Sequence, residues 1–224
     1  MNDDKLKYLN QLQDLYDDEI FISYDNKEIN QTNFKINDNA VELDYQRNEI
    51  KNCLKCNSDE SIKTLKLGSG DPNAGLLIIG EIPGEREDLS VEPFLETAGK
   101  LLDKMLKAID MSRDKNVFIC NVLNCKTTEK RNLKKKAIDR CELYLLNQID
   151  LIKPKLIVAL GRNAGKTLLG VEKSLKQMRG ILHEYHSKRL IVTYHPVTLL
   201  RNPSWKSEAW EDFKWIRKLL MQDR

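Results

Sequence analysis

Short apolar runs alternate with longer stretches of helical periodicity from residue 75 onward, and this alternation constrains the fold more than any other feature. Four runs are almost wholly apolar, as expected of strands covered on both faces of a sheet: 76–79, 117–120, 156–160 and 190–193. Helices are predicted at about 99–109, 135–152, 162–169 and 207–221. Such alternation builds parallel sheets with helices on both faces. We predict an α/β fold, a three-layer sandwich with a central, mainly parallel four-stranded sheet flanked by helices.

The first 50 residues differ from the rest of the chain in charge. They contain 5 Lys or Arg and 12 Asp or Glu, whereas residues 51–224 contain 32 and 22. Leucines spaced by three and four predict an amphipathic helix over 3–20, and the polar stretch 23–40 predicts a linker. We therefore expect an acidic N-terminal helix and linker at 1–50 and a basic domain at 51–224. The basic excess favours a polyanionic partner, although many basic domains bind none.

Membrane and secretory classes are not favoured. No stretch of the chain approaches the roughly 20 apolar residues that span a bilayer. The initial Met-Asn-Asp-Asp has neither the basic start nor the apolar run of a signal peptide. We expect a cytoplasmic protein with no membrane partner.

Five cysteines suggest a metal centre. Cys53 and Cys56 form a C-x-x-C pair, whose spacing lets two thiolates bind one metal, and Cys125 and Cys141 supply two further soft ligands. Zinc and an iron–sulfur cluster both suit four thiolates, and the spacing does not separate them. A chance or redox-active C-x-x-C is the alternative. Cys120 lies within an apolar run and is predicted to be a small buried hydrophobe.

Polar residues stand at the ends of the four predicted strands, at Glu81, Asn121, Arg162 and His195. Ligands of parallel sheets bind beyond the carboxyl ends of the strands, so these side chains are the first candidates for a site. The nearby segment 161–167 resembles a P-loop, but three residues separate its glycines where four are required. We predict a strand-to-helix turn there.

A series of short motifs resembles the family-4 uracil-DNA glycosylases, the iron–sulfur type of bacteria and archaea. The resemblance extends from Cys53 to about Trp215. The motifs that carry it are Gly80–Gly84 with Glu87 and Asp88, Glu92–Phe94, Ala98–Leu102, Asn121–Cys125, Arg179–Gly180, Thr193–Pro196 and Leu199–Arg201.

The resemblance implies a monofunctional enzyme that hydrolyses the N-glycosidic bond of uracil in DNA, as in base excision repair. It also implies a structural four-iron four-sulfur (4Fe-4S) cluster bound by Cys53, Cys56, Cys125 and Cys141. We expect DNA as the partner and a monomer as the functional state.

Glu81 and His195 are the catalytic residues that the resemblance implies. The transition state places positive charge on the sugar and negative charge on the departing base. A carboxylate near the sugar stabilises the first charge and orients water, and a histidine that donates to the base oxygen stabilises the second. The alternatives are a carboxylate that only complements a helix dipole and a histidine with a structural role.

The flipped base and the DNA backbone need separate contacts. The amide of Asn121 offers an acceptor for N3–H of uracil and a donor for its O4, and Ile82 and Phe94 complete the predicted base-binding set, with Phe94 stacked on the extruded base. Leucines can fill the gap left in the stack, and basic side chains bind phosphates. The alternatives are leucines that are buried and a basic run that is only a solvated helix start. The predicted DNA contacts are Lys126, Lys130, Arg131, Lys134, Leu199, Leu200 and Arg201.

Three residues depart from the family pattern near the expected pocket. Val91 and Glu96 stand where the family usually has glycine, and Ile82 replaces a small residue. Two alternatives therefore accompany the main hypothesis: a glycosylase of the same fold with altered base preference, and a non-catalytic DNA-binding protein.

Overall fold

The computed structural model describes residues 38–51, 68–82, 97–124 and 131–222. The predicted helix at 3–20 and most of the predicted linker lie outside these ranges. The proposed domain boundary at residue 50 stays a prediction.

Six strands form one mixed sheet in the part of the chain that the structure describes. They are β1 (Ser69–Gly70), β2 (Leu76–Gly80), β3 (Val117–Asn121), β4 (Leu156–Leu160), β5 (His183–Tyr185) and β6 (Lys188–Thr193). Their spatial order is β1-β3-β2-β4-β6-β5. The four central strands are parallel, and β1 and β5 pair antiparallel at the two edges.

The predicted α/β class and flanking helices are confirmed, whereas the predicted strand number is corrected from four to six. The four predicted strands are the parallel ones at the centre. β1 has two residues and β5 has three. These edge strands are too short and too polar to produce an apolar run in the sequence, because an edge strand need not be covered on both faces.

Seven α-helices and one 3₁₀ turn are present in the described ranges. They are α1 (Asp38–Lys51), α2 (Thr97–Lys107), α3 (Arg131–Ile152), α4 (Gly161–Leu169), α5 (Leu175–Met178), α6 (Pro196–Arg201), the 3₁₀ turn Pro203–Trp205 and α7 (Lys206–Met221). Helices α2, α3, α4 and α7 correspond to the four predicted in the body of the chain. The sequence did not predict α1, α5 or α6.

Two apolar layers cover the two faces of the sheet. Alternate residues of each central strand point to opposite faces, so Leu77 and Ile79 pack with α3 and α4, whereas Leu76 and Ile78 pack with α2 and α7. Each of the four central strands contributes buried residues to both layers, with different residues in each. This arrangement is the predicted three-layer sandwich. No helix in the described part of the chain is both long and apolar enough to cross a bilayer.

Helix α1 joins the layer that contains α3. Its Leu43 is only 2% exposed and belongs to that core, and Gln46 is buried beside it. A helix that buries so few apolar side chains shows no amphipathic period, which explains why the sequence did not predict it.

Candidate active site at the carboxyl edge of the sheet

The carboxyl ends of the four parallel strands meet at one edge. Gly80 of β2 is in register with Asn121 of β3, and Leu160 of β4 is in register with Thr193 of β6. The residues that follow the strands therefore lie beside one another. In this way Glu81, Asn121 and His195 reach one edge from three separate strands.

Glu81 is held at both its backbone and its side chain. Its carbonyl accepts a hydrogen bond from the backbone N–H of Leu123 at 3.0 Å, which extends the β2–β3 pairing beyond the strands. Its Oε2 accepts a hydrogen bond from Nδ2 of Asn163 at 2.7 Å. Asn163 lies in the first turn of α4, where the helix dipole favours a negative charge. The carboxylate is thus fixed at a helix N-terminus.

Asn163 was not singled out by the sequence, although it adjoins Arg162, one of the candidates at the strand ends. Arg162 is exposed, and its Nε donates to the backbone carbonyl of Lys173, in the loop after α4, at 3.4 Å. The structure therefore brings Asn163 to Glu81, whereas Arg162 is engaged by the loop.

His195 forms the N-cap of α6. Its Nδ1 accepts a hydrogen bond from the backbone N–H of Val197 at 3.2 Å. Burial lowers the pKa of His195 to about 4, and the negative charge of Glu81 only partly opposes this effect. The imidazole is therefore neutral at pH 7, and because Nδ1 is the acceptor, the proton is on Nε2.

Gly161 allows the turn between β4 and α4 to pass close to His195. Its φ is +89°, and a Cβ at this position would lie 3.0 Å from Cβ of His195. A larger residue would be strained and would displace the histidine. Helix α4 begins at this glycine, in agreement with the predicted strand-to-helix turn.

Asn121 is buried at the end of β3, with 2% of its surface exposed. Its Oδ1 has no hydrogen-bond partner in the described part of the chain, and the same holds for Asn124, which is equally buried. A buried polar atom is costly unless it is paired. An unpaired amide oxygen at the ligand-binding edge of a sheet is therefore a candidate ligand contact. Asn124 lies within the Asn121–Cys125 motif, but no role was predicted for it from the sequence.

An ionic cluster fixes the segment that leads to His195. Nε and Nη2 of Arg179 donate to the two carboxylate oxygens of Asp212 at 2.9 and 3.0 Å. Asp212, on α7, is 5% exposed. It also accepts a hydrogen bond from the hydroxyl of Thr193 at 2.5 Å. The guanidinium of Arg179 lies 4.4 Å from the ring centroid of Tyr194.

Helix α7 and the 3₁₀ turn before it also hold Tyr194 directly. The hydroxyl of Tyr194 donates to Oε2 of Glu208 at 2.9 Å, and its ring stacks on Trp205 at a centroid distance of 5.4 Å. The two residues that precede His195 are thus bound to Arg179 and to the C-terminal part of the chain.

Comparison with known proteins identifies the family. The profile of the Uracil DNA glycosylase superfamily matches residues 67–214. The chain belongs to this superfamily. A protein named Type-4 uracil-DNA glycosylase from Sulfurisphaera tokodaii is 39% identical over 186 residues, which cover 79% of this chain and 84% of that protein. Proteins of the same name from Archaeoglobus fulgidus and Saccharolobus solfataricus are 34% and 33% identical, over 79% and 80% of this chain and 92% and 86% of theirs.

Leu199 and Leu200 were both predicted to contact DNA, but the structure gives them different environments. Leu199 is 1% exposed and packs with Tyr194 and Ala209. Leu200 is 40% exposed, and Arg201 is also exposed. Leu199 therefore anchors α6, whereas Leu200 and Arg201 are presented to solvent. Ile82 is exposed beside Glu81.

Several of the predicted site residues lie outside the described ranges or have undescribed side chains. Phe94, Lys126 and Lys130 are outside the described ranges, and Arg131 and Lys134 lie in α3 with undescribed side chains. Their roles stay predictions.

The implied cluster can be tested structurally only through Cys141, because Cys53, Cys56 and Cys125 lie outside the described ranges. Cys141 is buried on α3, where it packs with Leu123, two residues before Cys125. This placement fits a centre that Cys125 and Cys141 share. Within the described ranges no group of three or more His, Cys, Asp or Glu is arranged to hold a metal.

Cys120, the other described cysteine, is a core residue. It is fully buried in β3, and burial raises the pKa of its thiol well above the ordinary range. Such a thiol is inert. The prediction that Cys120 is a small buried hydrophobe is confirmed.

Proposed function

We propose that the chain is a monofunctional DNA glycosylase that hydrolyses the N-glycosidic bond of uracil in DNA after flipping the nucleotide out of the helix. The observation that supports this most is the meeting of Glu81, neutral His195 and buried Asn121 at one sheet edge. The similarity to proteins named Type-4 uracil-DNA glycosylase supplies the substrate. DNA is the proposed partner, and the monomeric state and cytoplasmic location stay predictions.

Glu81 acts on the sugar. As the bond to the base lengthens, positive charge develops on the deoxyribose, and a fixed carboxylate lowers the energy of that charge. The same carboxylate orients the water that attacks C1′ and accepts its proton. Its hydrogen bond to Asn163 keeps it in place before the substrate arrives.

His195 acts on the leaving base. The Nε2–H of the neutral ring donates to O2 of the departing uracil anion, where negative charge develops. Because Nδ1 is held by the backbone N–H of Val197, the ring cannot turn away from this task without losing the α6 cap.

Asn121 selects the base. Its Oδ1 accepts from N3–H of uracil, and its Nδ2 donates to O4, whereas cytosine offers the opposite pattern at these two positions. The unpaired and buried state of Oδ1 supports this role, since a ligand then satisfies an atom that the described protein groups leave unsatisfied.

The Asn121→Asp variant tests this role with almost no change in shape. A carboxylate repels O4 of uracil, and the donor to that oxygen is lost, so we expect uracil release to slow by roughly 100-fold or more. The measurement is single-turnover release from DNA with protein in excess, with circular dichroism as a control for folding. An unchanged rate would remove Asn121 from base recognition.

Base preference separates the main proposal from its nearest alternative. Ile82 is 37% exposed beside Glu81. Because isoleucine is larger than the small residue that the family usually has at this position, it supports a second candidate, a glycosylase with altered base preference. Single- and double-stranded oligonucleotides that contain uracil or another modified base distinguish the two. Release of uracil supports the main proposal, release of another base alone supports the second, and binding without release supports a non-catalytic protein.

We also propose that Cys53, Cys56, Cys125 and Cys141 hold the 4Fe-4S cluster. When bound, the cluster supplies a structural cross-link between the segment before β1, the end of β3 and helix α3. The burial of Cys141 next to the chain that leads to Cys125 supports this set. Cys120 is the natural comparison, because it is also buried but lies in the sheet.

The two described cysteines provide a matched test. We expect Cys141→Ala to lose the absorbance near 400 nm that iron–sulfur clusters typically show, together with bound iron, because one of four thiolate ligands is removed. Cys120→Ala should keep both. The cluster assignment fails if the purified protein is colourless and contains zinc, or if Cys120→Ala loses the absorbance and Cys141→Ala keeps it.

A further inference from the structure

A hydrogen bond joins the N-terminus of α4 to the carboxylate that we propose acts on the sugar. Nδ2 of Asn163 lies 2.7 Å from Oε2 of Glu81, although the two residues are 82 positions apart. Helix α4 has no N-cap side chain of its own, because Leu160 occupies that position. The carboxylate of Glu81 therefore lies at a helix end that still needs a negatively charged or hydrogen-bonding partner.

The same turn contacts the second catalytic side chain. Gly161 approaches His195 so closely that a Cβ would lie 3.0 Å from Cβ of the histidine. Asn163 follows two residues later in the first turn of α4. The start of this helix thus lies against both proposed catalytic residues.

An amide suits this position chemically. A carboxylate on a flexible side chain must be oriented before it can stabilise a developing cation, and each immobilised torsion costs entropy during the reaction unless the protein has already fixed it. Lysine or arginine would orient the carboxylate too, but their charge would offset the negative charge that the sugar needs. The amide of asparagine orients the carboxylate and leaves its full charge in place.

We propose that Asn163 is a positioning residue that acts through Glu81 and holds its carboxylate toward the deoxyribose. This inference rests on the proposed function. It assigns Asn163 no contact with DNA, so its effect should fall on the rate of bond cleavage and leave substrate binding unchanged.

A double-mutant cycle separates this role from a structural one. We expect Asn163→Ala to slow single-turnover uracil release at saturating protein about 10-fold, with an unchanged half-saturating protein concentration. Asn163→Asp, which has the same shape, should slow it about 100-fold because a second carboxylate repels Glu81. In the Glu81→Ala background, Asn163→Ala should change the residual rate by less than twofold.

Thr167→Ala, one turn further along α4, is the matched control and should leave the rate within twofold of the parent. The inference is overturned if Asn163→Ala leaves the rate of an active parent unchanged, or if it slows the Glu81→Ala variant by the same factor as the parent. A parent chain that releases no uracil at all refutes the proposed function instead, so the two failures are distinguishable.

Discussion

The His195→Ala variant is expected to release uracil about 10²- to 10³-fold more slowly than the parent chain. The side chain supplies a preorganised donor to the oxygen on which charge develops, and removal of one such donor typically costs this factor. Single-turnover release with protein in excess measures the effect on the chemical step. His195→Ala also removes the N-cap of α6, whose loss costs about 1 kcal/mol in helix stability.

The His195→Asn variant separates the two roles. Asparagine is a good N-cap but does not extend as far as Nε2 of histidine, so this variant should keep the parent's stability at pH 7 and lose activity as His195→Ala does. Full activity in His195→Asn would show that the cap is the only contribution of this residue.

The pH dependence follows from the low pKa of His195. Because burial lowers it to about 4 from an ordinary value of 6.5, the folded protein holds the ring neutral while the unfolded chain binds a proton as the pH falls below 6.5. The contribution of this ring to the free energy of unfolding is therefore fully present above pH 6.5. It is lost progressively as the pH falls toward 4, by up to about 3 kcal/mol. Denaturant unfolding of the parent and His195→Asn at pH 7 and pH 4.5 measures the difference. Equal losses in the two proteins would contradict the neutral histidine.

The Arg179→Ala variant should lose on the order of 3 kcal/mol of unfolding free energy. Asp212 is almost fully buried, and each of its two carboxylate oxygens accepts a hydrogen bond from the Arg179 guanidinium. Removal of the arginine leaves a buried charge with only the Thr193 hydroxyl among its described partners, which is the costly way to break an ion pair. Thermal and urea unfolding measure the loss.

Lys214→Ala is the matched control for this prediction. Lys214 pairs with Glu211 on the same helix at 2.7 Å, but their side chains are 49% and 68% exposed, so its loss should cost less than about 1 kcal/mol. Equal effects of the two variants would show that the Arg179 cluster is not a structural anchor. Because Thr193 and Tyr194 lead directly to His195, folded Arg179→Lys should also release uracil more slowly.

The central part of the fold was predictable because strands buried on both faces consist almost wholly of apolar residues. The runs at 76–79 and 156–160 have no polar residue, and only a central parallel strand needs that composition. The edge strands and α1 could not be predicted, since they are short or bury few side chains. Their positions depend on the strands and helices with which they pair or pack.

The site was predictable to the extent that it follows from topology. Glu81, Asn121 and His195 stand at strand ends, and parallel strands bring such residues to one edge. The contacts that fix them were not predictable: Asn163 reaches Glu81 across 82 positions, and Asp212 reaches Arg179 across 33. Pairings between distant residues leave no local period or spacing, so only the three-dimensional structure reveals them.

The most direct test of the proposed function is the release of free uracil from an oligonucleotide that contains a single deoxyuridine. We predict that the intact chain releases uracil and leaves an alkali-labile abasic site, that matched DNA with thymine at that position is not cleaved, and that Glu81→Ala abolishes most of the rate. Tight binding of the same DNA by a folded, brown protein without any release of uracil would contradict the account.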